Sequence, residues 1–216
     1  MADQHPEDSL TRSGRPPRPS GFQQECARIR RLLELEPSNR VADIGCGDGG
    51  VARTLAPLCL QWTGCDFSEK MLRAARREAI PNAGYVLATA GRLPFREHTF
   101  DKVLVYSSLH YLSLEDAKRA IEEAKRVCRP GGRVLLGDLP DASRKRAYEA
   151  ATGFGWFRKA LGFASGVLRY LTRRPRLIET WFATAWVSAA SEGKPFIVRI
   201  LDRDSPYRFD VLLLRR

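Results

Sequence analysis

The run Gly45-Cys46-Gly47-Asp48-Gly49-Gly50 follows the short apolar stretch Arg40-Val-Ala-Asp-Ile44 and precedes a helical stretch, Val51 to Leu58. A strand that passes into a helix through alternating glycines leaves bare Cα atoms and backbone N–H groups where side chains would otherwise stand, so a ligand can approach the main chain closely. The same alternation continues downstream. Gln61 to Cys65 reads as a strand, and Ser68 caps a helix to Arg77 that turns Met71, Leu72 and Ala75 inward. Gly84 to Ala88 and Phe100 to Tyr106 read as strands, Leu114 to Val127 as a helix opened by Ser113, Arg129-Pro-Gly-Gly132 as a turn, and Arg133 to Leu136 as a strand. Strands alternating with helices imply an α/β, doubly wound and mainly parallel sheet with helices on both faces. Phe196 to Leu201 and Phe209 to Leu214 are joined by so short a connection that they must form a hairpin, which makes the last strand antiparallel.

At 216 residues the chain suits one domain, and its longest charge-free stretches are shorter than the 18 or more apolar residues a membrane span needs. Residues 1–20 hold several prolines and a single large aliphatic, Leu10, so they are expected to be a disordered arm, with the domain running over 21–216. The N-terminus carries acids where a secretory leader would carry bases, which reads as cytoplasmic. The five cysteines are scattered and odd in number, without a C-x-x-C pair, so they read as reduced core residues and indicate no metal. A helix is expected from Gly21, with Phe22, Cys26, Ile29, Leu32 and Leu33 on one face, ended near Pro37.

Two acids narrow the ligand. A dinucleotide turn has the spacing G-x-G-x-x-G and cradles pyrophosphate, whereas this one is G-x-G-x-G with Asp43 inside the preceding strand. A carboxylate facing the turn repels pyrophosphate and suits a cationic amine. Asp66, at the tip of the second strand, is placed to accept from both ribose hydroxyls. An adenosine with a positively charged amino-acid tail satisfies both.

The segments Val41-Ala-Asp43-Ile-Gly45-Cys-Gly47-Asp-Gly49, Asp66-Phe-Ser-Glu-Lys-Met71, Gly91-Arg-Leu-Pro94-Phe95, Thr99-Phe-Asp101, Ser108-Leu-His110-Tyr-Leu112 and Arg129-Pro-Gly-Gly132 resemble, in order and spacing, the motifs of class I S-adenosylmethionine-dependent methyltransferases over Phe22 to Asp138. The resemblance implies a Rossmann-like, seven-stranded sheet with an antiparallel last strand. It implies S-adenosylmethionine as cofactor, with the methionine end against Asp43, Gly45, Cys46 and Gly47, the ribose on Asp66, and the adenine beside Phe67 and Met71. Where such proteins often place an acid after the third strand for the adenine amine, this chain has Ala88-Thr89-Ala90, so Thr89 and Ala90 are assigned there. Ser107, after the fourth strand, falls where cofactor and acceptor meet.

For the acceptor, His110 and Asp138 are the candidate acid–base residues, and Asp141 points toward the same edge; His110 reads equally well as a helix-start residue. Tyr106 and Tyr111 either shape the pocket or pack. Arg144 to Arg176 carries nine bases, one acid and several aromatics, and 142–193 reads as a helical lid over an anionic acceptor, a solvated cap, or a membrane-surface helix. The leading expectation is methyl transfer to oxygen of a small molecule or saccharide. The rival is RNA methylation, favoured by the net charge of +11 but lacking an Asn-Pro-Pro-Tyr-like motif at Tyr106-Ser-Ser-Leu109. A non-catalytic, cofactor-binding partner subunit is the third reading, and the oligomeric state is open.

Overall fold

The computed structural model describes residues 21–152, 180–193, 195–203 and 206–216. Helix α1 (Gly21–Leu33) leads into β1 (Arg40–Ile44), followed by α2 (Gly50–Leu55), β2 (Gln61–Asp66), α3 (Glu69–Arg77), β3 (Ala83–Leu87) and β4 (Phe100–Tyr106). Then come α4 (Leu114–Val127), β5 (Cys128–Pro140), α5 (Lys145–Thr152), α6 (Thr184–Ser191), β6 (Phe196–Asp202) and β7 (Arg208–Arg215). The strands form one sheet in the order β3-β2-β1-β4-β5-β7-β6. Pairing is parallel except that β7 runs antiparallel to both β5 and β6. The order reverses between β1 and β4, and ligands of open α/β sheets bind at such a switch point, beyond the carboxyl ends of the strands.

Burial follows from two-sided covering. Every residue of β4, and all of β1 but Arg40, is buried. One face packs Val41, Trp62, Leu104 and Leu135 against Phe22, Cys26, Ile29 and Leu33 of α1 and Ala52 and Leu55 of α2. The other face packs Ile44, Val103, Val105 and Val134 against Ala117, Ala120, Ile121 and Ala124 of α4. The five cysteines are buried and free, and among the described residues no group of three or more His, Cys, Asp and Glu could hold a metal. No helix of the described residues is long and apolar enough to cross a membrane.

The structure differs from the sequence reading in two places. Arg129-Pro-Gly-Gly132 lies inside β5, because Gly131 absorbs a left-handed φ of 73° and the strand runs on through it. Met71 does not turn inward with Leu72 and Ala75 but stays 37% exposed. Helix α6 falls within 142–193, the stretch read as helical, and its Val187 and the nearby Phe182 close the second core face where the hairpin meets α4. The arm 1–20 and the basic stretch 153–179 fall outside the described residues.

Both expected serine caps form, with unequal geometry. Ser113 Oγ accepts from the Asp116 N–H at 3.1 Å in a part-buried setting, while Ser68 Oγ accepts from Met71 at 3.4 Å in the open. Ser113→Ala should therefore cost about 1 kcal/mol in denaturant unfolding, and Ser68→Ala clearly less.

Candidate functional site

The turn after β1 is wound by glycine torsions, with Gly45, Gly47 and Gly49 at φ 76°, 55° and 78°. The N–H groups of Gly45 and Cys46 both donate to the Cys65 carbonyl, at 2.7 and 3.0 Å, which ties the turn to the end of β2. A Cβ on Gly45 would stand 2.5 Å from Cβ of Ser108, while one on Gly47 would meet nothing within 4 Å. The turn is thus closed beneath Gly45 and open over Gly47. Ser108, which sequence reasoning did not single out as a site residue, donates its hydroxyl to the Ile44 carbonyl at 3.2 Å and joins the loop after β4 to the turn after β1.

Asp66 is fixed from two sides. Its Oδ2 accepts from the Gly47 N–H at 3.0 Å and its Oδ1 from the Ser68 N–H at 2.8 Å, so the carboxylate is held between the glycine turn and the start of α3. Asp43 is 2% exposed, and its Oδ2 is buried without a hydrogen-bond partner. Burial, only partly offset by the Trp62 indole and reinforced by the neighbouring Asp66, pushes the Asp43 carboxyl up to about 7. Burial likewise raises the Cys65 thiol to about 12 and the Cys46 thiol well above its ordinary value, so neither offers a thiolate at neutral pH.

Beside Asp66 the surface is apolar and open, with Phe67 75% exposed, Met71 exposed, and Leu87 at 55%. Leu87 pairs with Asp66 across β3 and β2, a neighbour visible only from the register. Thr89 lies in the turn after β3, where its carbonyl accepts from Arg92 at 3.1 Å; its side chain is exposed, and Ala90 next to it is half-buried.

At the ends of β4 and β5 two non-glycine residues hold left-handed torsions, Ser107 at φ 52° and Asp138 at φ 65°, and the Ser107 N–H donates to the Gly137 carbonyl. Such strain in ordered backbone concentrates at functional sites. Residues 180–182 cross this edge as a strap. Thr180 donates to the carbonyls of His110 and Leu112, Phe182 donates to Pro140, and the Ala142 N–H donates back to Phe182.

Neither acid–base candidate is open to solvent. Asp138 is fully buried at the irregularity in the β5–β7 pairing. Its Oδ2 lies 3.2 Å from Arg208 Nη1, and its N–H donates to Asp210 Oδ1. It belongs to a charge network in which the Arg203 side chain, 3% exposed, reaches Glu25 at 2.5 Å, Asp210 at 2.8 Å and Tyr106 Oη at 3.3 Å. Burial alone would lower the Arg203 value, but Tyr106, Asp210 and Glu25 outweigh it and hold the guanidinium above the ordinary range. The reading of Asp138 as an acceptor-side base is corrected accordingly: its carboxylate serves the β5–β7 junction. Sequence alone could not show this, because the partners lie about 70 residues downstream. His110 is 3% exposed, in a short 3₁₀ turn with its ring 4.1 Å from that of Tyr111.

Residues 42–136, which run from β1 into β5, match a family model described as a methyltransferase domain. A crystal structure of a SAM-dependent methyltransferase from Aquifex aeolicus superposes with a TM-score of 0.64 at 15% identity, covering 98% of this chain and 99% of that one. Residues 42–136 are thus similar to a methyltransferase domain, and the chain shares the fold of that S-adenosylmethionine-dependent enzyme. The chain's similarity to curated methyltransferases extends over about half of its length. It is 36% identical over 118 residues to the 27-O-demethylrifamycin SV methyltransferase of Amycolatopsis mediterranei, covering 52% of this chain and 43% of that protein. It is 37% identical over 111 residues to the tRNA (carboxymethyluridine(34)-5-O)-methyltransferase of Arabidopsis thaliana, covering 50% and 26%. The chain thus spans less than half the length of either relative.

The residues at this edge fit S-adenosylmethionine. The partnerless Asp43 oxygen is the complement of an α-ammonium, and Gly47 leaves room for a tail to pass. Asp66 keeps lone pairs for two ribose hydroxyls, and the exposed Phe67 and Met71 offer an apolar bed for a purine. A raised carboxyl value means the folded chain takes up a proton that the unfolded chain releases near 3.8, so stability without cofactor falls as pH rises from about 4 to about 7. Asp43→Asn should remove that slope and, at pH 8, raise thermal stability by an amount on the order of a few kcal/mol. In calorimetry, affinity for S-adenosylmethionine should tighten as pH rises toward 7 and decline above about 8, where an α-amine loses its proton. The Asn variant should bind weakly, without the acid limb.

Proposed function

We propose that the protein transfers the methyl group of S-adenosylmethionine to a hydroxyl oxygen of a small molecule or saccharide. The observation that carries this reading is the strap at the acceptor edge. By bonding to the loops after β4 and β5 at once, Thr180 and Phe182 bridge the ends of the two strands where Ser107 and Asp138 lie. Half-buried Trp181 of the strap clusters with Tyr148 and Tyr207, the Tyr148 ring centroid lying 5.4 Å from that of Trp181 and 5.3 Å from that of Tyr207. A bridged, aromatic edge suits a compact acceptor better than a duplex backbone. The relative named for 27-O-demethylrifamycin SV supports a small acceptor and methylation at oxygen.

The cofactor supplies an electrophilic methyl on a sulfonium, and the chain's part is to position it. Asp43 anchors the amine, Gly45, Cys46 and Gly47 pass the tail, Asp66 holds the ribose, and Phe67, Met71, Thr89 and Ala90 bound the adenine. Ser107 stands where donor and acceptor meet. His110 is the proposed base for the acceptor hydroxyl, because it lies on the loop leaving β4 and the strap holds its carbonyl.

Methylation of RNA is the second reading, favoured by a sequence pI near 9.9 and by the tRNA-modifying relative. Incubation with methyl-tritiated S-adenosylmethionine, together with total tRNA and separately with a fractionated pool of hydroxylated metabolites, separates the two. Label is expected in the metabolite pool and not in acid-precipitable RNA; label in the RNA would establish the second reading instead.

A further inference from the structure

Asp43, Gly64 and Tyr85 are register partners across β1, β2 and β3, so their side chains stand on one face of the sheet. The middle member has no side chain, and its neighbours use the space. A Cβ built on Gly64 would lie 2.7 and 2.9 Å from Cδ1 and Cε1 of Tyr85 and 2.8 Å from Sγ of Cys46. The Tyr85 ring therefore lies across β2 against the residue at the heart of the glycine turn. Its hydroxyl reaches further, to 2.9 Å from where a Cβ of Gly49 would stand, at the other end of the same turn and close to Ala75 of α3. That hydroxyl is buried and has no hydrogen-bond partner, and burial raises it to about 12. A buried phenol that makes no hydrogen bond is retained at a cost. What remains for the residue is the shape of its ring.

We infer that Tyr85, lying across the bare Gly64, is a positioning residue for the methionine end of the cofactor: its ring is the floor that sets the height of the glycine turn above the sheet. The inference rests on the placement of S-adenosylmethionine at that turn. Tyr85 sits on the edge strand, below the ligand-binding edge, and acts through Cys46 and Gly49 rather than on the cofactor. Because the turn carries Gly45, Cys46 and Gly47, a floor too low or too high misplaces the amino-acid tail more than the adenosine, which is held by Asp66 and the surface around Phe67.

The test is isothermal calorimetry on the full chain with two probes, S-adenosylmethionine and 5′-methylthioadenosine, the second lacking the amino-acid tail. Tyr85→Phe keeps the floor and loses only the unpartnered hydroxyl, so both affinities should stay within about twofold and thermal stability should hold or rise. Tyr85→Ala lowers the floor and Gly64→Ala drives a methyl into it. Each should weaken S-adenosylmethionine roughly tenfold or more and 5′-methylthioadenosine much less. Val211→Ala, in the opposite core face on β7, controls for lost stability and should leave both affinities unchanged. If Tyr85→Ala does not fold, Tyr85→Leu and Gly64→Ala carry the same comparison. Unchanged S-adenosylmethionine affinity in the folded variants, or equal loss of both probes, would overturn the role of Tyr85. Asp66→Ala separates this from the underlying placement: if it too binds normally, the site itself is misassigned, whereas its loss alone removes only Tyr85.

Discussion

The contact on which the site depends is the pairing of the glycine turn with the end of β2. Two turn N–H groups converge on the Cys65 carbonyl, and the next one along donates to Asp66. This fixes the carboxylate expected to take the ribose relative to the turn expected to take the amino-acid tail, so one short stretch of β2 sets both halves of the cofactor pocket. The geometry is available only because Gly45 can lie against Ser108 and because Gly64 leaves room for Cys46 and Tyr85. Side chains at those positions would separate β1 from its neighbours.

The electrostatic arrangement is asymmetric across the same edge. On the cofactor side Asp43 has a buried oxygen without a well-formed hydrogen bond, only the Trp62 indole offsetting its burial, a cost compensated when a cation arrives. On the acceptor side the buried charges are already matched: Arg203 and Arg208 meet Asp138, Asp210 and Glu25, and Arg28 meets Asp210. That network joins α1 to the C-terminal hairpin and holds the end of β5 in its left-handed turn. One side is poised to bind, and the other is braced.

Most of the fold was legible because its signals are local. The glycine run, the serine caps and the alternation of apolar strands with amphipathic helices each depend on a few neighbouring residues, and the short link between Leu201 and Phe209 required the antiparallel hairpin. The positions of the two acids proposed for the cofactor were legible for the same reason, since Asp43 and Asp66 lie at strand ends beside their turns. What escaped depends on distant pairing. Asp138 looked like an edge residue until its contacts with Arg208 and Asp210 placed it inside. Ser108 is marked by nothing but its approach to Gly45, and Leu87 only by its register with Asp66. Helix α6 is weakly amphipathic, with Ala and Ser through much of its length, so periodicity did not fix its bounds within the stretch read as helical.

The central claim is that Asp43, the glycine turn and Asp66 together form the S-adenosylmethionine site. A crystal structure of the full chain with S-adenosylhomocysteine tests it most directly. The account predicts the ligand's amine within hydrogen-bond reach of Asp43 or bridged to it by one water, its ribose hydroxyls on Asp66, and its adenine beside Phe67 and Met71. A ligand bound elsewhere, or one whose ribose and amine leave both carboxylates untouched, would contradict it.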